Sequence, residues 1–403
     1  MFFTSRPVQR LLQAAGLVCS VAVVVACGGG GSPEPLAPAV AAADRATAYA
    51  AGPITGFGSI IVNGVRYDDS TASITDDDGA SHRPERLKLG MVVEVDAQGV
   101  DRVAAQGKAL KVRFGAQLVG PAAGPLTADN SLTVLGQKVQ VTATTVVDDA
   151  LEGGLEAVKA GTVLEVHGLV DSATGGLLAT RIDAQPDATS YRLKGVVASL
   201  DTTARTFRLG GLLIDYSGVL SAALPAALAN DQRLAVLLNT QAGLDGRWFA
   251  TALRAAVAKL EDRPQADVRG TITAITSATA FELNGVKVDA SQASFPDGKD
   301  GLALGARVEV EGALTNGVLL ASKVEIDAKR PEKGRLELHG AIGNLNTAAK
   351  TFVLRGVQVR YDKVQTWKGG AETDLANGRK VEVKGALSAD RRSLDATEVS
   401  FEN

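Results

Sequence analysis

A glycine that recurs five times in similar surroundings constrains the fold of this chain more than any other sequence feature. It interrupts a short apolar stretch in each copy, at Gly56, Gly120, Gly195, Gly270 and Gly340. The successive intervals are 64, 75, 75 and 70 residues. This period is longer than that of a propeller blade or solenoid rung, which span about 20 to 50 residues. Each copy is therefore long enough to close a small core of its own.

A second glycine keeps its place later in the repeat, just before a stretch of Val-x-Val type. It is present in four copies, as Gly90, Gly161, Gly305 and Gly378. In the third copy Asn230-Asp231 stands at this place. The third copy is thus the degenerate one.

The fourth copy shows the strand pattern most clearly. An Asn316-Gly317 turn, the strongest short hairpin signal, separates its last two alternating stretches. Apolar and polar residues alternate with the period of half-buried strands in residues 268–272, 281–288, 307–312 and 319–326. One copy therefore predicts about five strands: a single strand, a hairpin, a looser segment and a second hairpin.

This strand order resembles the five-stranded OB-type barrel, and a small open sheet or sandwich is the alternative. The sequence predicts an all-β tandem array of about five such barrels. Their expected limits are residues 53–116, 117–186, 192–258, 268–328 and 336–403. Linkers with proline and mixed charge are expected at residues 259–267 and 329–335.

The recurring residues also resemble a known family. The patterns Val-x-Gly-x-Ile, Phe-x-Leu-x-Gly-x-x-Val and Gly-x-x-Val-x-Val-x-Gly are similar to those of bacterial secreted proteins built from tandem copies of a domain of unknown function, DUF5666. The resemblance covers most of the chain after residue 50. It implies a fold and a repeat count, and it implies no activity.

Composition limits the kinds of partner. Aromatic residues are only 4% of a chain that is 45% hydrophobic, so the cores must be mainly aliphatic. The formal net charge of −3 over 403 residues provides no basic surface for nucleic acid. The two cysteines, Cys19 and Cys27, both lie near the N-terminus, so we expect neither a disulfide nor a thiolate metal site in the barrels.

Residues 1–27 have the parts of a secretory signal peptide. Arg6 and Arg10 precede an apolar segment at residues 11–26. The segment ends in Val-Val-Ala-Cys27, which resembles the lipobox of bacterial lipoproteins. The resemblance implies a diacylglyceryl group on the thiol of Cys27 and fatty acylation, for example with palmitate, of its new amino group. Two or three acyl chains give a stable membrane anchor, whereas one does not.

Residues 28–52 are rich in Gly, Pro and Ala and predict a flexible tether. Gly28 and Gly29 follow the cysteine, where resembling enterobacterial lipoproteins of the inner membrane carry an aspartate. The expected location is therefore the outer membrane, with the barrels facing the periplasm.

The most suggestive polar run is the acidic stretch at Asp76-Asp77-Asp78-Gly79. Against a calcium-binding loop, Asp76, Asp78 and Glu85 would take ligand positions three, five and twelve. The first ligand position would fall on Ile74, which cannot bind a cation. An exposed acidic turn is the better interpretation.

No motif predicts catalysis. The histidines His82, His167 and His339 lie in three different copies, and we expect each at a solvent-facing position. The nucleotide-binding, nucleophile-elbow and zinc-protease motifs are absent from the sequence. We therefore predict a protein that is not an enzyme and uses no cofactor or metal.

Two features single out the third copy. Residues 219–229 are rich in Ala and Leu and predict a short helix at the looser segment. Trp248-Phe249 is a possible stacking platform for a base or sugar, but strand alternation favours one of the two rings in the core.

Two functions of different classes remain. The first is a lipid-anchored structural or interaction protein whose barrels present surface to an envelope protein or the cell wall. The alternative is a module that binds an oligosaccharide or oligonucleotide on an OB-like face.

Overall fold

In a computed structural model the chain is described at residues 47–402, except for residues 102–103, 172–175, 226–227, 257–260, 284, 305 and 327–334. Strands dominate these residues. No α-helix occurs among them; short 3-10 turns stand in the looser segments, at Pro84–Arg86, Gly154–Ala157, Ser221–Ala223 and Glu372–Asp374.

The first repeat, called barrel 1, closes into a barrel. Its strands are β1 (Thr47–Phe57), β2 (Ile60–Val62), β3 (Val65–Asp68), β4 (Ser73–Asp76), β5 (Ser81–His82), β6 (Val92–Asp101) and β7 (Gln106–Phe114). Strand β1 pairs antiparallel with β2, which forms a hairpin with β3. Strand β3 pairs in parallel with β7, β7 with β6, and β6 with β1. This closed order, with a parallel pair between the third and last main strands, is that of the OB-type barrel.

The other four repeats have the same order of pairs. Barrel 2 contains β8 (Leu118–Pro121), β9 (Ser131–Val134), β10 (Gln137–Gln140), β11 (Val146–Val147), β12 (Val163–Asp171) and β13 (Gly176–Ala184). Barrel 3 contains β14 (Tyr191–Asp201), β15 (Thr206–Leu209), β16 (Leu212–Asp215), β17 (Arg233–Leu238) and β18 (Trp248–Ala255).

Barrel 4 contains β19 (Arg263–Ser277), β20 (Ala280–Leu283), β21 (Val286–Asp289), β22 (Arg307–Thr315) and β23 (Val318–Ile326). Barrel 5 contains β24 (Arg335–Ala341), β25 (Gly343–Asn346), β26 (Thr351–Leu354), β27 (Val357–Arg360), β28 (Thr366–Lys368), β29 (Lys380–Leu387) and β30 (Ser393–Phe401). The parallel pair recurs as β10 with β13, β16 with β18, β21 with β23, and β27 with β30. The prediction of an all-β array of small five-stranded barrels is confirmed.

The buried side chains form three clusters that cross barrel limits. Barrels 1 and 5 share one cluster, and barrels 2 and 3 share another. The third cluster fills barrel 4 and includes Tyr49 of barrel 1. Valine, leucine and isoleucine dominate all three, as the low aromatic content requires. The barrels are thus joined by apolar packing.

Backbone pairing joins the barrels further, with β1 at the centre. Residues 48–51 of β1 pair in parallel with residues 265–268 of β19, while the opposite edge of β1 pairs with β6. At its end, Gly56 and Phe57 pair in parallel with Glu337 and Leu338 of β24. Barrels 2 and 3 join through an antiparallel pair between β8 and β14. In the described residues β1 therefore pairs with strands of barrels 1, 4 and 5 and joins these three barrels.

Three expectations about segment limits need correction. The tether predicted for residues 28–52 cannot extend to residue 52, because β1 begins at Thr47; residues 28–46 lie outside the described part. The Ala-rich composition of residues 48–51 hid this strand in the sequence. The linker predicted for residues 259–267 likewise becomes strand from Arg263, where β19 meets β1.

The helix predicted for residues 219–229 is replaced in the described part by the 3-10 turn Ser221–Ala223. Val219 is buried, but Leu220, Ala222 and Ala223 are exposed, so residues 220–223 offer little apolar surface for a helix to bury. Trp248 is half-buried, with its ring 5.7 Å from that of Tyr191.

Gly56 provides a test of the β1 to β24 pairing. A Cβ at this position would overlap the backbone oxygen of Glu337, which cannot move without shifting β24. We expect Gly56→Ala to lower the free energy of unfolding by about 1 to 3 kcal/mol, as overpacking does. Urea unfolding followed by circular dichroism would measure the change.

The matched control is Gly195→Ala, at the equivalent strand position of barrel 3. Its Cβ would meet the Cβ of Leu209 at 3.4 Å, an ordinary contact. Equal losses in the two variants would show that the close approach of barrel 5 does not constrain Gly56.

Candidate functional site: the polar junctions between barrels

The acidic turn of barrel 1 docks onto basic side chains of barrel 3. Asp77 forms ion pairs with Lys194 and with Arg192, the latter at 3.6 Å. Asp78 pairs with Arg192 and with Arg254, the latter at 2.5 Å. The side chains of Asp77, Lys194 and Arg192 are 17%, 12% and 16% exposed, so these charges are largely removed from water. The turn therefore clamps two barrels together.

Asp78 and Gly79 of the acidic run are exposed, as an acidic turn predicts, whereas Asp77 is largely removed from water at the clamp. One Asp76 carboxylate oxygen accepts hydrogen bonds from the backbone N–H groups of Asp78 and Ala80, both at 2.9 Å. The other lies 2.8 Å from Nε2 of His82. Burial raises the pKa of Asp76, but these hydrogen bonds outweigh it and hold the pKa below its ordinary value. With Asp78 engaged by arginines, Asp76 and Asp78 do not converge on a calcium position.

A second polar junction joins barrels 1 and 2. The Arg181 guanidinium donates hydrogen bonds to Asp183 at 2.6 and 2.7 Å, to Asp148, and to the backbone oxygen of Leu89 at 3.1 Å. Lys88 of barrel 1 reaches Asp148 at 2.7 Å and Asp183 at 3.3 Å. Two cations and two carboxylates thus balance at a partly buried interface, where Arg181 and Asp183 are buried and Lys88 is half-exposed.

The two carboxylates of this junction differ in pKa. Burial works against the charged form of Asp148, but hydrogen bonds from its neighbours and the charge of Arg181 hold its pKa well below the ordinary value. Burial, together with the nearby Asp148, raises the pKa of Asp183. Asp148 is therefore the carboxylate whose ionised form the junction favours.

The prediction of a solvent-facing position fails most clearly for His167. It was expected to face solvent, but its side chain is fully buried. Its Nε2 lies 3.0 Å from a carboxylate oxygen of Glu165. Burial raises the pKa of Glu165, but His167, Arg86 and Gln185 together hold this pKa below its ordinary value. His167 and Glu165 thus share one face of β12, and that face is covered at His167, which a sequence comparison of copies cannot show.

The three histidines do not combine into one site. His82 contacts Asp76 and His339 contacts Glu402, each within its own barrel, and both are only partly buried. Within the described residues, the histidines therefore take part in three separate carboxylate pairs.

Three carboxylates on the outer face of barrel 4 lie close enough to suggest a metal site, namely Glu309, Glu311 and Glu325. The ammonium group of Lys323 lies 3.1 Å from both Glu311 and Glu325. A fixed lysine thus supplies the positive charge that a metal ion would bring. We assign no metal to this cluster.

The predicted lipidation site, Cys27, lies outside the described residues. Among the described residues, no helix combines the length and apolar character needed to cross a bilayer.

Comparison with known proteins identifies the repeats. The family described as "Domain of unknown function (DUF5666)" matches residues 51–105, 122–183, 269–325 and 339–400, which together exceed half of the chain. Barrel 3 lies between the second and third matches, although its strands pair as in the others.

The remaining comparisons add little. No curated protein matches the sequence. A solved structure described as "drosophila Unr CSD456" is 13% identical, and the similarity covers 54% of this chain and 98% of that one, with a TM-score of 0.14. A superposition this poor supports no argument about function.

The clamp between barrels 1 and 3 can be tested with Asp77→Asn. This change leaves Lys194 without its closest countercharge at a position largely removed from water. We expect a loss of about 1 to 3 kcal/mol in the free energy of unfolding, because an unpaired buried charge is costly. Glu372→Gln is the control, since its pair with Lys350 is exposed and lies within barrel 5. It should unfold at nearly the wild-type urea concentration. Similar losses in both variants would contradict the clamp.

The junction between barrels 1 and 2 makes stability depend on pH. Because the folded-state pKa of Asp148 is lowered, its contribution is complete above the unfolded-state pKa of about 4 and is lost as the pH falls through the folded-state value. The advantage of wild type over Asp148→Asn in free energy of unfolding should be constant at about pH 5 to 7 and shrink in acid.

Asp183→Asn is the matched comparison for this titration. The raised pKa of Asp183 means that the folded state gains from its protonation, so the wild-type advantage over this variant should grow as the pH falls. Urea unfolding at a series of pH values gives both curves. Parallel, pH-independent differences would contradict the assignment.

Proposed function

Because the chain belongs to the DUF5666 family, whose domain has no known activity, we propose that it is a non-catalytic, lipid-anchored scaffold of the cell envelope. In this proposal Cys27 carries the lipid, the segment after it is a tether, and the fused barrels present one surface to an envelope protein or the cell wall. The proposed location is the outer membrane, with the barrels in the periplasm. Nucleic acid is not a proposed partner.

The observation that carries the proposal is the shared strand β1. It ties barrels 1, 4 and 5 by backbone pairing, while charged side chains tie barrels 1, 2 and 3. Such joints hold surfaces of different barrels at fixed positions relative to one another. A fixed, wide surface suits recognition of a macromolecule better than it suits the capture of a small substrate.

The distribution of charge agrees with this role. Carboxylate and guanidinium groups of the junctions form ion pairs with one another, as Asp148 does with Arg181 and Asp78 with Arg254. They are therefore occupied in holding the barrels together.

The anchor is tested by Cys27→Ser in a host that makes bacterial lipoproteins. Wild type should incorporate labelled palmitate and sediment with outer membranes, whereas the variant should do neither, because serine cannot form the thioether. Labelling that survives the substitution would contradict the proposed anchor. Folding of the exported variant is checked by its urea unfolding midpoint, which should equal that of wild type.

The scaffold role is tested by crosslinking intact cells and purifying the full chain. We expect one envelope protein, or peptidoglycan, to be enriched over the same purification from Cys27→Ser cells. A glycan array provides the opposing test. Saturable binding of an oligosaccharide, with no crosslinked partner, would favour the ligand-binding module and overturn the scaffold.

A further inference from the structure

Most of the barrels carry a short extra strand beside their last strand, which we call the side strand. It comes from the looser segment and pairs in parallel with the second half of the last strand. The pairs are β4 with β7 in barrel 1, β11 with β13 in barrel 2, and β28 with β30 in barrel 5. In barrel 4 a single parallel bridge between Ser294 and Lys323 takes this place. The side strand therefore covers an edge that the main strands leave unpaired.

Barrel 3 has no side strand among its described residues. Its last strand, β18, pairs with β17 at residues 250–255 on one edge. On the other edge β16 pairs only with Trp248 and Phe249. Residues 251–255 of β18 are therefore unpaired on that side in the described part, and we call them the open edge.

The open edge has a cause in the sequence. The side strand lies in the stretch between the third main strand and the 3-10 turn of the looser segment. This stretch comprises residues 69–83 in barrel 1, 141–153 in barrel 2 and 361–371 in barrel 5. In barrel 3 it is reduced to residues 216–220, which leaves no length for a strand as well as the connections on either side of it.

A shared bulge puts the last strands of all five barrels in a common register. In each barrel the pairing of the last two strands skips one residue of the last strand. The skipped residues are Leu110, Thr180, Thr251, Ser322 and Thr397. Counted from there, Leu253 is the equivalent of three residues that lie opposite a side strand. These pairs are Val112 with Ile74, Ile182 with Val147, and Val399 with Trp367.

The backbone groups of Leu253 and Ala255 face the open edge. The N–H of Ala256 donates to the backbone oxygen of Arg233 in β17, and successive residues of a strand point to opposite edges. Ala255 and, two residues before it, Leu253 therefore point away from β17. In barrel 4 the equivalent of Leu253, Val324, donates in the same direction to the bridge residue on that side.

These backbone groups have no hydrogen-bond partner within the described residues. Thr251, Arg254 and Ala255 are exposed, so the edge is accessible from solvent. The side chain of Leu253 is buried in the barrel, so an added strand has an apolar neighbour on its inner face. An unpaired edge with these properties is a template for one more strand.

We propose that the open edge binds an extended segment of a partner protein as a strand parallel to β18. The proposal rests on the scaffold function proposed above and describes how that scaffold holds its partner. Strand addition takes its affinity from backbone hydrogen bonds and its specificity from alternate side chains. The side strands of the other barrels define the occupant. It is extended, it runs parallel, and it places an apolar residue opposite Leu253, as Ile74 lies opposite Val112.

The charge of the edge favours a foreign segment over a second copy of this chain. The side chain of Arg254 is 50% exposed. Two copies of β18 paired through this edge would bring their Arg254 side chains together on one face, and like charges in a strand pair are destabilising. A foreign segment with a neutral or acidic residue at this place avoids the repulsion.

The test measures hydrogen exchange in the full chain, with acetyl-Ala-Ser-Ile-Thr-Asp-amide, a copy of residues 72–76, as the probe. In the free chain the amides of Leu253 and Ala255 should exchange fast, whereas that of Val324 should be protected. Titration with the peptide should slow exchange at Leu253 and Ala255 saturably, by about tenfold when the free peptide is at about ten times its dissociation constant. Exchange at Val324 should not change.

The matched control is the same peptide with methyl groups on the nitrogens of its Ser and Thr residues. The Ser takes the place of Ser294, whose N–H donates to Ser322 in barrel 4. The Thr takes the place of Asp148, whose N–H donates to Ile182 in barrel 2. The methylated peptide keeps every side chain and loses both donors, so it should give no protection.

Ala255→Pro tests the same edge from the side of the protein. It removes an N–H that has no partner in the described part of the chain, so the urea unfolding midpoint should stay near that of wild type. The dissociation constant of the probe should rise about fivefold, as expected for one lost hydrogen bond. The methylated peptide decides the question even where this variant does not fold.

Three results would overturn the proposal. Protection of Leu253 and Ala255 in the free chain equal to that of Val324 would show that the edge is already paired. Equal protection by the plain and the methylated peptide would exclude strand addition. Protection that grows with protein concentration, without any peptide, would make a second copy the occupant. The crosslinking of cells is a separate measurement, so a failure here removes this edge from the scaffold and leaves the scaffold function itself to that test.

Discussion

The parallel pairing of β1 with β19 is the interaction on which the assembly of barrels depends. In an OB-type barrel the first strand pairs, over part of its length, with strands of its own barrel on both edges. The N-terminal part of β1 differs, because it pairs with β6 of its own barrel on one edge and with β19 of barrel 4 on the other. Backbone hydrogen bonds fix both distance and register, whereas side-chain contacts alone tolerate sliding. The ion pairs of Asp77 and Asp148 then secure barrels 3 and 2 around this centre. The shared strand therefore turns five similar units into one body.

Sequence reasoning recovered the unit and missed the assembly. The glycines and alternating Val-x-Val stretches predict strands because they report on local geometry and on one buried face. They carry no record of which unit pairs with which, because pairing between barrels uses backbone groups that every residue has. For this reason the sequence predicts tether at residues 47–52 and linker at residues 263–267, where the structure has strand.

The predictions about the site residues failed for a related reason. The comparison of copies placed His167 on an exposed face, but in the fold that face is covered and the ring is fully buried beside Glu165. The acidic run at Asp76 was recognised as polar, but its partners lie more than a hundred residues away in barrel 3.

Barrel 3 shows how a repeat can lose its sequence pattern and keep its fold. The family match passes over it, yet its strand pairing is complete. It supplies the cations that meet the acidic turn, namely Arg192, Lys194 and Arg254. A unit whose outer face contacts its neighbours requires different surface residues from a unit whose outer face is exposed to water. Its divergence is what that position in the assembly leads us to expect.

The position of β1 at the start of the chain has a consequence for biosynthesis. Its partners β19 and β24 begin more than two hundred residues later, so the outer edge of β1 stays open while the intervening barrels are made. An open edge strand is a template for wrong pairing, and the late partners make the closing step one of high contact order. We therefore expect a nascent barrel 1 to be prone to wrong strand pairing until barrel 4 is made. A chain truncated before Arg263 would keep this unpaired strand edge.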